Sequence, residues 1–143
     1  MEKRRDTPRT RFGTRSDQTI LMPFPPSVNT YWRRSSRGIY LSKKGRDYKA
    51  EVRSLFTDSG AQLMEERLEL AVLLNPPDRR KRDIDNYTKS LLDALIGLAY
   101  HDDSQIDSLL VQRGEVEPGG SALVFMRPVV EWEASFWALQ HCS

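Results

Sequence analysis

The stretch Asn75–Asp103, NPPDRRKRDIDNYTKSLLDALIGLAYHDD, constrains this chain most, because it sets the densest run of acids and bases around one helical pattern. Asn75-Pro76-Pro77 opens it as a turn. Four cations follow, Arg79, Arg80, Lys81 and Arg82, and then two carboxylates one residue apart, Asp83 and Asp85. A helical pattern carries Lys89 and Asp93, and a second acidic pair, Asp102 and Asp103, closes the stretch. Two carboxylates ~5 Å apart at an effective dielectric of ~20 repel by roughly 3 kcal/mol. Either these acids sit apart in water or a positive charge lies between them. The neighbouring cations or a hard divalent metal with oxygen ligands can supply that charge.

The chain has 143 residues, which suits one domain with a real hydrophobic core. Its net charge is only +2, so the distribution of charge says more than the sum. Lys and Arg gather in the first fifteen residues, in Arg33–Arg53 and in Arg79–Arg82, whereas the acids gather in Asp83–Asp107 and Glu115–Glu133. That asymmetry suits a basic surface around an acidic pocket. Cys142 is the only cysteine, so neither a disulfide within the chain nor a thiolate metal site is expected. No apolar run is long enough to span a bilayer, and the basic N-terminus lacks the apolar core of a signal peptide. The expectation is a cytoplasmic, reducing compartment with no membrane partner. No GxxxxGK[ST] or GxGxxG motif is present, and no organic cofactor is expected.

Residues 1–17 read as a flexible basic arm, either touching phosphates weakly or simply solvated. Thr19–Phe24 reads as a strand ended by prolines, since proline cannot donate to a sheet ladder. In Ser27-Val28-Asn29-Thr30-Tyr31-Trp32-Arg33-Arg34 the aromatics and arginines interleave. They can stack on bases and neutralise phosphates, or Tyr31 and Trp32 can be core and rim aromatics. Arg37-Gly38 marks a turn before a short strand, Ile39–Leu41. Ser42 caps a helix from Lys43 to about Ser59, with Tyr48, Val52, Leu55 and Phe56 on its apolar face and Gly60 as its stop. Arg67–Leu74 reads as a strand, Asn86 to about Leu98 as a helix, and Ile106–Arg113 and Ser121–Met126 as strands. In the second helix Tyr87, Leu91, Ala94, Leu95 and Leu98 share one face, with Asn86, Lys89, Ser90, Asp93 and Gly97 opposite. The expected fold is α+β: one mixed sheet and two main helices in the order β-β-α-β-α-β-β, spanning residues 18–127. Residues 128–143 form an extension, either a short helix on the body or a partner-binding tail.

Asp83 and Asp85 can share a metal only if residues 83–85 are extended or lie at a helix's first turn, because one residue apart inside a helix they diverge. Asp85 can alternatively be the N-cap. Lys89 can reach the same pocket, balancing charge or contacting a scissile phosphate, or it can form a plain i,i+4 pair with Asp85. His101 lies beside the acidic pair, but no serine or cysteine has the setting of an activated nucleophile. These residues allow a metal-dependent nuclease, a non-catalytic nucleic-acid-binding module, or a hydrolase of small phosphorylated substrates.

The blocks PPSVNTYWR, GIYLSKKGRDYKAEV, PPDRRKRDIDNYTKSLLDAL and HDDSQI, in this order from about Gln18 to Met126, resemble the RusA family of Holliday-junction resolvases. The resemblance implies a homodimeric endonuclease of phage or prophage origin that cuts two strands of a four-way DNA junction with magnesium, one or two ions per subunit. It implies Asp83, Asp85 and Asp103 as metal ligands and Lys89 as the catalytic lysine, with Asn86, Asp93 and Asp102 in support. It further implies DNA contacts from Ser27, Asn29 and Thr30 and from Arg79, Arg80, Lys81 and Arg82, with Arg33 of the aromatic-basic segment adding to them.

Overall fold

A computed structural model describes residues 17–129. In chain order its elements are β1 (Gln18–Met22), α1 (Val28–Tyr31), β2 (Trp32–Ser35), β3 (Gly38–Leu41), α2 (Lys43–Ser59), β4 (Leu68–Asn75), α3 (Asp85–Ala94), a 3-10 turn (Asp103–Gln105), β5 (Ile106–Arg113) and β6 (Ser121–Pro128). The residues 1–16 of the expected arm, and residues 130–143 of the expected extension, lie outside the described residues.

The α+β class and the mixed sheet are as expected. Four strands lie in the order β1-β6-β4-β5, with β6 antiparallel to both neighbours and β4 parallel to β5. The parallel pair needs a crossover, and α3 lies within it. Alternation along the strands sends Ile20, Met22, Leu68, Leu70, Val72, Leu74, Ala122, Val124 and Met126 into the core. Two helices cover that face, α2 with Tyr48, Val52 and Phe56 and α3 with Leu91, Ala94 and Leu95. Each large aliphatic so buried contributes about 1.5–3 kcal/mol. Leu21 and Leu123 pair across the β1–β6 ladder and remain exposed, because they alternate with the buried positions.

Three departures from the expected elements matter for the site. The segment 28–35 is not loop alone: Ser27 caps the one-turn α1, and β2 and β3 form a separate two-stranded hairpin instead of joining the main sheet. Among the described residues there are therefore three helices, and the strand Ile39–Leu41 belongs to the hairpin. Strand β1 stops at Met22, two residues early, because Pro23 cannot continue the ladder. Helix α3 stops at Ala94, short of Leu98, because Gly97 adopts φ +85, which ends the right-handed path.

Ser90 also departs from its expected polar face, since it is fully buried. Its hydroxyl donates to the Pro26 carbonyl at 2.5 Å and to the Tyr87 carbonyl at 3.1 Å. Tyr100, equally buried, donates its hydroxyl to the Leu92 carbonyl at 2.7 Å. These bonds hold α3 between the loop after β1 and the turn before the acidic pair. Lys89 is thereby set beside α1 and the hairpin.

Candidate active site

The acidic end of α3 is built by backbone bonds. The Asn86 N–H donates to the Asp83 carbonyl at 3.1 Å, and the Thr88 hydroxyl donates to the Ile84 carbonyl at 2.7 Å. Ile84, with φ −64 and ψ −33, holds the cap position without a side-chain capping bond. Asp85 is therefore a first-turn residue and not the N-cap. Asp83 and Asp85 flank this turn and are both exposed. A carboxylate there gains about 0.3–1 kcal/mol from the helix N-terminal charge.

One turn on, the Lys89 ammonium lies 3.1 Å from Asp93 Oδ1 and 3.0 Å from Asp103 Oδ2. It pairs forward along the helix and across to the 3-10 turn, not back to Asp85. Asp93 and Asp103 retain 12% and 27% of their side-chain exposure, so Lys89 neutralises two carboxylates that are partly withdrawn from water. Its pKa is raised, first by the bond to Asp103 and then by Asp93, against the opposing effect of burial. The ammonium therefore stays charged through the physiological range.

Asp102 and Asp103 divide their roles. Asp102 Oδ2 accepts the Ser104 N–H at 3.0 Å, and Gln105 Oε1 accepts the N–H groups of His101 and Asp102. This capping box occupies Asp102 and turns Asp103 toward Lys89. Gln105 Nε2 ties the turn to the Met64 and Glu66 carbonyls. His101 is exposed, with Nε2 3.8 Å from Glu65.

The structure thus brings together Lys89, Asp93 and Asp103. Among the described residues no three His, Cys, Asp or Glu side chains converge closely enough to hold a metal ion, so Asp83, Asp85 and Asp103 are not gathered into one ligand set. Their chemistry, oxygen donors only, nevertheless suits a hard divalent cation.

The basic run divides as well. Arg82 keeps 10% of its side-chain exposure, donates to Asp78 Oδ1 at 2.7 Å and lies 5.7 Å over the Phe24 ring. Arg80 donates to Asp78 through its backbone N–H and its guanidinium. Arg82 and Arg80 brace the loop, whereas Arg79 and Lys81 are exposed and have no acid partner among the described residues.

Hydrogen bonds from Arg82 and Arg80 hold Asp78 well below the usual carboxylate range. Asp102 is lowered by Ser104 and Asp107 by Arg67. Carboxylates lowered in the fold add stability above their ordinary pKa, about 3.9, and lose it as pH falls through their folded values. Melting temperature should therefore decline below about pH 4. Asp78→Asn should make that decline shallower, and thermal melts at pH 7 and pH 2 check it; an unaltered slope would contradict the assignment.

Beside Lys89 opens a cleft of about 770 Å³, walled by Val28 and Asn29 of α1, by Trp32, Arg33, Arg34 and Ile39 of the hairpin, and by Lys89 and Asp93. Ser27 and Thr30 join at 2.9 Å and cap α1, so their hydroxyls serve that turn while Asn29 stands exposed. Tyr31 is buried, with its ring edge-on to Trp32 at 5.3 Å. It is a core aromatic, whereas Trp32 is half-buried on the cleft wall. Val28 and Ile39 carry no chemical signature in sequence, and only the hairpin pairing reveals their place.

A family profile described as Endodeoxyribonuclease RusA matches residues 23–121. The chain belongs to the RusA family. The rusA crossover junction endodeoxyribonuclease of Enterobacteria phage HK97 is 39% identical to it over 107 residues, covering 73% of this chain and 89% of the phage protein. The RusA protein of Shigella sonnei is 30% identical over 104 residues, 71% of this chain and 87% of its own length. The rusA protein of Enterobacteria phage 82 is 31% identical over 103 residues, 71% and 86% of the two chains. The RusA profile covers both flanks of the cleft, from α1 and the hairpin to α3 and the 3-10 turn.

Proposed function

We propose that this chain is a magnesium-dependent, structure-specific endodeoxyribonuclease that resolves four-way DNA junctions by paired symmetric cuts. One observation carries the reading: the Lys89 ammonium, bonded to Asp93 and Asp103, lies on the wall of a cationic cleft in a chain whose relatives are named crossover junction endodeoxyribonucleases. Hydrolysis of a phosphodiester builds negative charge on the phosphoryl oxygens and the leaving oxygen. Lys89 stabilises that charge as a fixed, protonated point charge held by two carboxylates. Asp83, Asp85 and Asp103 would hold the cation, with Asn86 and Asp102 in support. Those residues would hold one or two magnesium ions, which would supply an activated water and charge neutralisation at the phosphate. Asp103 Oδ2 serves Lys89, which leaves its other oxygen for the cation.

Arg79, Lys81, Arg33 and Asn29 face solvent and suit phosphate contacts, which set affinity and its salt dependence. A four-way junction has approximate two-fold symmetry. Two cuts need two copies of the centre, so the working unit is a homodimer in the cytoplasm of a bacterial cell, encoded by a phage or prophage.

The test is a synthetic junction labelled on both strand pairs, incubated with and without magnesium. Symmetric nicks on two strands of like polarity are expected only with the cation. Single unpaired nicks, or full cleavage in chelator, would overturn the reading. Magnesium should also raise the melting temperature, by about 1.4 kcal/mol of stability at ten times its Kd. Asp85→Asn should remove that shift, and a shift retained in full would exclude Asp85 as a ligand.

A further inference from the structure

The cleft beside Lys89 is wider and more apolar than a phosphate contact requires. Cross-strand pairing sets Arg34 opposite Ile39 and Trp32 opposite Leu41, so Trp32, Arg34 and Ile39 share one face of the hairpin. Trp32, Ile39 and Val28 give that wall apolar surface, while Arg34 adds a cation beside Lys89, whose ammonium is held by Asp93 and Asp103. Ile39 is 59% exposed, an aliphatic side chain that the core does not use. Neither Arg33 nor Arg34 has an acid partner among the described residues. Behind Trp32 the buried Tyr31 ring fixes the indole edge-on, and the Tyr31 carbonyl accepts the Ser42 N–H at 3.0 Å. The indole is thus a supported platform. Flat aromatic surface beside a guanidinium group recognises a nucleobase with its own phosphate.

Inside a duplex both faces of a base are already stacked on its neighbours. A wall of this kind therefore serves a base that has left the stack, and the branch point of a junction is where pairing and stacking are weakest. We propose that the Val28–Trp32–Ile39 cleft takes one unpaired nucleobase of the cleaved strand, stacked against Trp32, with its flanking phosphate drawn to Arg34 and Lys89. The inference rests on the junction-cleaving reading and deepens it. The base acts as an anchor that places the scissile phosphate at Lys89, so the enzyme reads an opened branch point and not merely a bend.

A double-mutant cycle between protein and DNA tests it, using the full chain and a series of junctions each lacking one base near the cut. Trp32→Ala should weaken junction binding roughly tenfold or more. Removing the inserted base should weaken the parent protein by a similar factor, and the two changes together should be no worse than either alone. Trp32→Phe should restore most of the affinity. Ile39→Ala, at an exposed position, should couple to the same base without disturbing Tyr31. Strictly multiplicative losses at every base position, for both Trp32→Ala and Ile39→Ala, would overturn the proposal. Absence of junction cleavage by the parent would instead overturn the underlying activity, so the two failures are distinguishable.

Discussion

Asp103→Asn should lower junction cleavage by about a thousandfold while changing junction affinity no more than severalfold. The substitution keeps the shape of the side chain and removes its charge. Asp103 is the first cause of the raised Lys89 pKa and one of two acids that fix the ammonium's position. With Asp103 neutral, Lys89 is drawn toward Asp93 alone, and the proposed cation loses a carboxylate. Removing a single charge-stabilising group typically lowers turnover by about a hundred- to a thousandfold. Here two roles meet on one side chain, which places the loss at the upper end. The proposed phosphate contacts are Arg79, Lys81 and the hairpin arginines, and among the described residues the ion pair of Asp103 is with Lys89, so affinity should be largely kept. Asp102→Asn is the matched control. Asn caps nearly as well as Asp, so the 3-10 turn should survive and cleavage should stay within a few fold of the parent. Single-turnover cleavage of labelled junctions measures both variants. Equal losses at positions 102 and 103 would refute the division of labour between them.

That division was only partly legible in the sequence. The blocks around Asp83, Asp85, Lys89 and Asp103 mark the chemistry by type and order, and the resemblance they carry is confirmed by family membership. What each acid bonds depends on details with no periodic signature. Asp102 becomes a cap because Gln105 can reach back across the turn, and Asp103 is aimed at Lys89 as a result. The helix pattern correctly predicted Leu91, Ala94 and Leu95 as core. It misplaced Ser90, because one hydroxyl can be buried wherever a carbonyl such as that of Pro26 accepts it. The hairpin was half visible: Ile39–Leu41 reads as a strand, but Trp32–Ser35 is too short and too charged to declare its pairing. The mixed sheet followed from the order of strands and helices along the chain. That β6 lies between β1 and β4 is a matter of long-range pairing, which local pattern does not encode.

Gly45→Ala should destabilise the fold by about 1–3 kcal/mol, the usual range for forcing an extra carbon into a packed contact. Gly45 lies in the first turn of α2, where alanine is ordinarily the better residue by about 1 kcal/mol. Its backbone is packed directly against α1. A Cβ added there would lie 2.5 Å from the Tyr31 carbonyl oxygen, a backbone atom that cannot rotate aside. That carbonyl already accepts the Ser42 N–H, while the Ser42 hydroxyl donates to the Thr30 carbonyl and accepts the Gly45 N–H at 2.9 Å. One methyl group therefore strains the whole join between α1 and α2. Because α1 and the hairpin wall the cleft, the damage should reach function. Denaturant melts should show the loss in midpoint, and junction affinity should fall beyond what the unfolded fraction explains. Ala50→Gly, on an exposed part of the same helix, should lose about 1 kcal/mol from helix propensity alone and leave affinity intact. If Gly45→Ala instead raised stability, as it would in an ordinary exposed helix, then the close approach of α2 to Tyr31 would not be holding the hairpin in place.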